Sequence, residues 1–253
     1  ITHDTSSAWS IKHLHRLIVT SATYRQSSRS RPDLATSDPN NKLLARQSRL
    51  RLDAEIVRDV SLSAGGLLNP KIGGPSVFPP QPDGVMTLGQ SKREWLASQG
   101  EERYRRGMYT FFWRATPHPA LMVFDSADGF SACTRRPRSN TPLQALTLLN
   151  DPAFAEFAGA LAARILNAPA ASEADRMQAA FRLCIARKPA AAERQRLREL
   201  LHQELAAFKS APEEAAALTG GAAANKYADV VQLAAWTAVS RVLLNLDETI
   251  TRE

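Results

Sequence analysis

The sequence predicts a mainly α protein: a helical bundle with a long Pro/Gly-rich loop region and little or no sheet. Three observations carry this. Apolar residues recur at i, i+3, i+4, i+7 and i+8 in several stretches, as Met177, Ala180, Phe181, Cys184 and Ile185 do, which is the period of a helix with one face inward. Asn140-Thr141-Pro142 and Asp151-Pro152 each place a polar cap before a proline, a helix start in which the missing proline N–H costs nothing. Residues 69–92 hold five prolines and four glycines in 24 positions, and no regular element of length survives that density.

In chain order, residues 6–20 predict a helix capped by Ser7 or Ser10, with Ile11, Leu14, Leu17 and Ile18 as its apolar stripe. Residues 21–40 read as a loop, and 41–50 as a short helix. A stronger helix runs from Leu52, with Ile56, Val57 and Val60 on one face, to Gly65-Gly66, where glycine supplies the left-handed C-cap. The aromatic-rich stretch 103–117 fits strand or helix, and the reading adopted is a helix ending before Pro117; residues 119–127 add a turn or two. Beyond it, helices are expected over 141–150, 152–166, 173–187 (capped by Ser172), 190–208 and Tyr227–Asp247, with a Gly/Ala loop at 209–224. The chain therefore divides into a basic helix-and-loop region, 1–140, and a C-terminal bundle, 141–253, expected to fold as one cooperative domain. It opens on Ile1 rather than Met, with no signal peptide, as a processed product or a fragment of a longer protein would.

At 253 residues, 44% apolar and 23% charged, the composition excludes collagen-like and disordered classes. A core of this size needs no disulfide or metal staple. No run is long enough for a membrane helix. Cys133 and Cys184 have neither zinc, iron–sulfur nor haem-attachment spacing; Cys184 lies on an apolar helical stripe, Cys133 in a polar loop, and a disulfide between them stays open. The net charge of +7 is uneven: residues 1–150 carry 20 Lys/Arg against 12 Asp/Glu, residues 151–253 carry 12 against 13. Most basic residues are Arg, the better fork for carboxylate, sulfate or phosphate.

Three constellations could carry chemistry. His13 and His15, two apart on a helix, diverge and cannot share a metal; one is expected in the core and the other exposed. Arg51, Asp53, Glu55, Arg58 and Asp59 predict an ion-pair network, with Arg51 facing Glu55 and Glu55 facing Asp59, joining this helix to the proline-rich loop. A cation or acid/base site at Glu55 and Asp59 is the minority reading, with His118, fixed between two prolines, as its companion. The densest signal combines rings and guanidinium groups: Arg103, Tyr104, Arg105, Arg106, Tyr109, Phe111, Phe112, Trp113 and Arg114, then Arg135, Arg136 and Arg138. The candidate ligand-binding residues are Arg105, Arg106, Trp113, Arg114, His118, Arg135, Arg136 and Arg138. Flat rings and guanidinium forks suit sugar faces with anionic substituents. Nucleic acid is not expected as a partner, since no helix-turn-helix, RRM or KH signature accompanies the charge. G-x-S-x-G, H-E-x-x-H, the P-loop and G-x-G-x-x-G are absent.

Four segments, Trp9–Ser28, Arg51–Asp59, Arg138–Pro152 and Ala235–Glu248, together resemble the Planctomycete-specific C-terminal domain, a family of unknown function. The resemblance implies a module at the end of a large exported protein with a c-type haem domain upstream, hence a periplasmic or cell-surface setting. It implies no haem or other cofactor in this chain, and no established activity. Three functional readings follow: a surface for an anionic polysaccharide, an enzyme module working with its upstream domains, redox-coupled or metal-assisted, and a structural or interaction domain whose charge is incidental.

Overall fold

A computed structural model describes residues 9–88, 94–170, 172–224 and 229–252. Ser7 and Tyr227, proposed above as a cap and a helix start, lie outside these residues, as do residues 89–92 of the proline-rich segment. The protein is mainly α. Among the described residues, sheet is confined to one two-stranded pairing of β1 (Leu50–Arg51) and β2 (Thr251–Arg252). The chain forms two compact units, 1–50 with 251–253, and 51–250.

The smaller unit holds α1 (Ile11–Thr20), capped by Ser10, whose hydroxyl accepts from the His13 N–H at 3.3 Å. Every residue of α1 is exposed, including His13 and His15, so the expectation that one of the histidines enters the core does not hold. The helix expected at 41–50 does not form. The Asp38 carboxylate caps the N–H groups of Lys42 and Leu43 at 2.7 and 2.9 Å, while Asn41 and Leu44 take positive φ. Side-chain competition for backbone donors turns the chain here instead of coiling it.

The larger unit is built around α2 (Ala54–Gly65), α5 (Pro152–Asn167) and α9 (Val230–Leu244). α5 and α9 pack on each other most extensively; α9 also carries α7 (Ala191–Ser210) and α8 (Pro212–Ala224), and α2 lies against α5. Phe157, Leu161, Ile165, Met177, Phe181, Leu201, Leu233, Trp236 and Leu243 form one buried cluster. Each large apolar side chain removed from water there contributes roughly 1.5–3 kcal/mol before ordering costs. α3 (Pro119–Val123), α4 (Pro142–Asn150) and α6 (Glu173–Ile185) complete the unit. Three capping signals act as read: Asp151 accepts from the Ala153 N–H and Ser172 from the Asp175 N–H, and Gly66 closes α2 at φ 73°. Thr141 stands at the N-cap of α4 before Pro142, but its side chain makes no capping hydrogen bond.

Three further expectations need correction. α2 begins at Ala54, not Leu52, and its buried face is Ala54, Val57, Ser61 and Leu62, with Ile56 and Val60 half-buried. Residues 209–224 are not a loop: 209–210 end α7 and Pro212–Ala224 form α8. Pro212 in the first turn, Glu213 and Glu214 at the positive end of the dipole and a run of alanines favour helix, and Gly220 (φ 57°, ψ 121°) only kinks it. Residues 103–117 are not a helix. They form short 3-10 turns, Gly100–Tyr104 and Gly107–Tyr109, then an extended run bridged to the proline-rich segment, with Asn69 paired to Arg105 and Val77 to Thr110. Gly107 explains the choice: it sits so close on α2 that a Cβ would fall 2.6 Å from the Glu55 carbonyl oxygen. The backbone groups that a helix would consume are used across to the loop, Val77 N–H to Tyr109 O and Phe111 N–H to Val77 O, each 2.8 Å.

Candidate functional site

The polar face of α2 meets the arginine-rich stretches, and nearly every guanidinium there has a partner. Arg136 grips Glu55 with both terminal nitrogens, at 2.6 and 3.1 Å. Arg106 Nε donates to Asp59 at 2.8 Å, and the Gly107 N–H donates to the other Asp59 oxygen at 2.6 Å. Arg138 lies a looser 3.8 Å from Asp53. Burial pushes the Glu55 carboxyl up, but the Arg136 hydrogen bonds outweigh it and hold the group below the usual carboxylate range. Arg51 precedes the helix and pairs with Asp247 at 3.1 Å, so it does not face Glu55. The network is real, yet it ties α2 to segments 103–107 and 136–138 rather than to the proline-rich loop.

Arg105 is fully buried. Its guanidinium donates to the carbonyls of Pro75 (3.0 Å), Lys71 (3.3 Å) and Gly73, and lies 3.8 Å over the Tyr109 ring. It is the internal post on which the proline-rich segment hangs. Two further arginines, Arg58 and Arg103, are also spent on partners inside the protein. Arg58, pushed down to about 10 by burial, donates to the Arg103 carbonyl and lies over Phe157. Arg103 forks Glu156, which also accepts from the Tyr104 hydroxyl; burial, then this carboxylate, raises Tyr104 to about 12. Glu156 is 53 residues from Arg103, and no local spacing marks the pair.

What stays open lies one segment further on. Phe111, Phe112, Trp113, Arg114 and Ala115 line a shallow groove of about 440 Å³. Arg114 is exposed, its guanidinium 5.6 Å from the centre of the Phe130 ring, which is itself 70% exposed. Gly129 lets this loop approach, since a Cβ there would fall 2.5 Å from Phe112. Behind the groove runs a ladder of rings: Trp113 edge-on to Phe111 (5.7 Å), Phe111 stacked on Phe78 (4.9 Å), Phe78 edge-on to Trp95 (5.1 Å), and Trp95 tilted on His118 (5.8 Å). Arg135 is exposed and makes no hydrogen bond or ion pair with the described residues.

His118 is buried at the inner end of that ladder. Its Nε2 lies 3.0 Å from the Pro80 carbonyl oxygen. Burial, with no charge partner to offset it, drives the imidazole down to about 4. It faces neither Glu55 nor Asp59 across a shared hydrogen bond, and both carboxylates are engaged by arginines. The structure thus gathers Glu55 with Arg136 and Asp59 with Arg106, isolates His118 and Arg105 inside, and leaves Trp113, Arg114 and Arg135 toward the surface. Cys133 is exposed and Cys184 half-buried, both as free thiols, with burial pushing Cys184 up to about 12. No group of three His, Cys, Asp or Glu side chains among the described residues is arranged to hold a metal ion, and no described helix is long and apolar enough to cross a membrane.

No curated protein and no solved structure matches the chain. Residues 4–201 match a family model, which takes in α1 to α6, most of α7 and both arginine-rich stretches, and ends short of α8 and α9. With more than half its length matched, the chain belongs to the family described as PSD1, Protein of unknown function (DUF1553).

Proposed function

We propose that the chain is a recognition module that binds an anionic polysaccharide in the groove of Phe111, Phe112, Trp113 and Arg114. One observation carries the reading: an open groove walled by aromatic rings with an exposed guanidinium at its lip, stacked toward the exposed Phe130 ring. Ring faces take the C–H face of a sugar, and the guanidinium fork takes its sulfate or carboxylate. Arg135 adds positive charge to the surface, while Arg105, Arg106 and Arg136 act as the frame rather than as contacts. The resemblance noted in the sequence supports placing this module at the C-terminal end of an exported, periplasmic or surface protein, with c-type haem in upstream domains that are its covalent partners and none held by this chain.

Calorimetric titration with a sulfated and a uronate polysaccharide, and with a neutral glucan as control, tests the reading. Binding to one of the anionic polymers should weaken with added salt. Arg114→Ala and Trp113→Ala should each lower affinity about tenfold, about 1.4 kcal/mol. Absence of heat with every anionic polymer overturns it. A second reading, a structural or interaction domain, is favoured by the arginines already spent on carboxylates and carbonyls. Under it, neutralising Arg114 and Arg135 changes solubility alone.

A further inference from the structure

We propose that the buried cavity between α2, α3 and the start of α5 is a binding site for one neutral water molecule, held by His118, Thr110 and Arg58. The cavity is about 20 Å³, and these three residues share its lining with Ala54, Leu121, Phe124, Ala153 and Phe154 among others. That volume is enough for one water. All three polar residues are at least nine-tenths buried, at 4%, 9% and 7% exposure. In each, one polar atom has no hydrogen-bond partner among the described residues: His118 Nδ1, Thr110 Oγ1 and Arg58 Nε.

The hydrogen-bond roles of these atoms follow from their neighbours. The Pro80 carbonyl can only accept, so the His118 Nε2 lying 3.0 Å from it carries the proton. Nδ1 of the neutral ring therefore presents a lone pair. Arg58 Nε–H can only donate, and the Thr110 hydroxyl can do either. One water, with two protons and two lone pairs, can give a proton to Nδ1, accept from Nε–H and meet the hydroxyl in either sense. An anion would confront the histidine lone pair, and a cation would confront Arg58; a neutral guest satisfies both. Buried polar atoms are rarely left unpaired, and three residues that line one small hollow each carry such an atom.

The position gives the guest a task. Thr110 and His118 stand at the two ends of the segment that carries Phe111 to Pro117, and Arg58 stands on α2. A water bonded to all three pins both ends of that segment to the helix. The inference is independent of polysaccharide binding, because its test reads water and not a ligand.

Magnetisation transfer from water to the alanine methyls of the intact chain provides that test. Long-lived cross-peaks are expected at Ala120 and Ala153, which both line the cavity, together with a His118 Nδ1 nitrogen shift displaced toward the hydrogen-bonded range. Thr110→Val should weaken those cross-peaks with the rest of the spectrum intact. Methyls without water cross-peaks and a Nδ1 signal at the position of a free lone pair would overturn the proposal, and these need only the unsubstituted protein.

Discussion

Glu55 on α2 and Arg136, 81 residues later, meet as a two-pronged ion pair of 2.6 and 3.1 Å. The pair pins the 133–138 loop to the helix, and both side chains keep some access to solvent, 22% and 34%. That exposure limits its worth. A double-mutant cycle with Glu55→Ala and Arg136→Ala is expected to return a coupling of about 1 kcal/mol, shrinking as salt is added. A coupling of zero would mean the fork does not hold in solution.

Gly107 brings segment 103–110 against the backbone of α2 at Glu55. A methyl there would lie 2.6 Å from the Glu55 carbonyl oxygen and 2.7 Å from its Cα, both backbone atoms that cannot swing aside. Gly107→Ala should cost about 3 kcal/mol or more and break the Gly107–Asp59 hydrogen bond. Thermal unfolding measures it; a change under about 1 kcal/mol would refute the contact.

Arg105 gives the proline-rich segment its anchor. Arg105→Ala leaves the carbonyls of Pro75, Lys71 and Gly73 without their donor, an expected loss of about 3 kcal/mol. Arg105→Lys should recover only part of this, since an ammonium cannot span the same fork or lie flat on Tyr109. Limited proteolysis should cut first between residues 70 and 78 in both variants, whereas equal protease resistance would show that the segment stands without its post.

Acid should loosen the site through His118. Its folded value of about 4 lies below the ordinary 6.5, so between those two pH values the unfolded chain holds a proton that the folded chain does not. Stability from this group is complete above pH about 6.5 and falls as the pH drops toward 4, by about 3 kcal/mol in all. His118→Phe should flatten that slope in denaturation curves taken from pH 7 to 4. An unchanged slope would assign the acid sensitivity elsewhere.

The parts of the fold legible in the sequence are those written in local chemistry. Asp151 before Pro152, Ser172 before an acidic turn, and Gly66 after an apolar stripe act within four residues of where they stand, and each bounds a helix as read. The region around the site depends instead on distant partners. Residues 103–110 have the aromatic richness of helix or strand, but they leave both forms because residues 69–77 offer them backbone bonds. The arginines could be counted and not sorted: a guanidinium destined for full burial at Arg105 reads the same as the exposed one at Arg135. A usable hint lay in the partner, since Pro70, Pro75, Pro79 and Pro80 contribute carbonyls and no donors, so their loop must borrow donors from side chains. Nothing local announces that Thr110 and His118 will share a hollow with Arg58.

The family match stops at residue 201, within α7, whereas α5 rests chiefly on α9, which begins at Val230. Kinship and mechanics therefore have different borders. A polypeptide shortened to the recognisable stretch would strip the cover from Phe157, Leu161 and Ile165, and such a remnant would clump before any ligand could be offered to it.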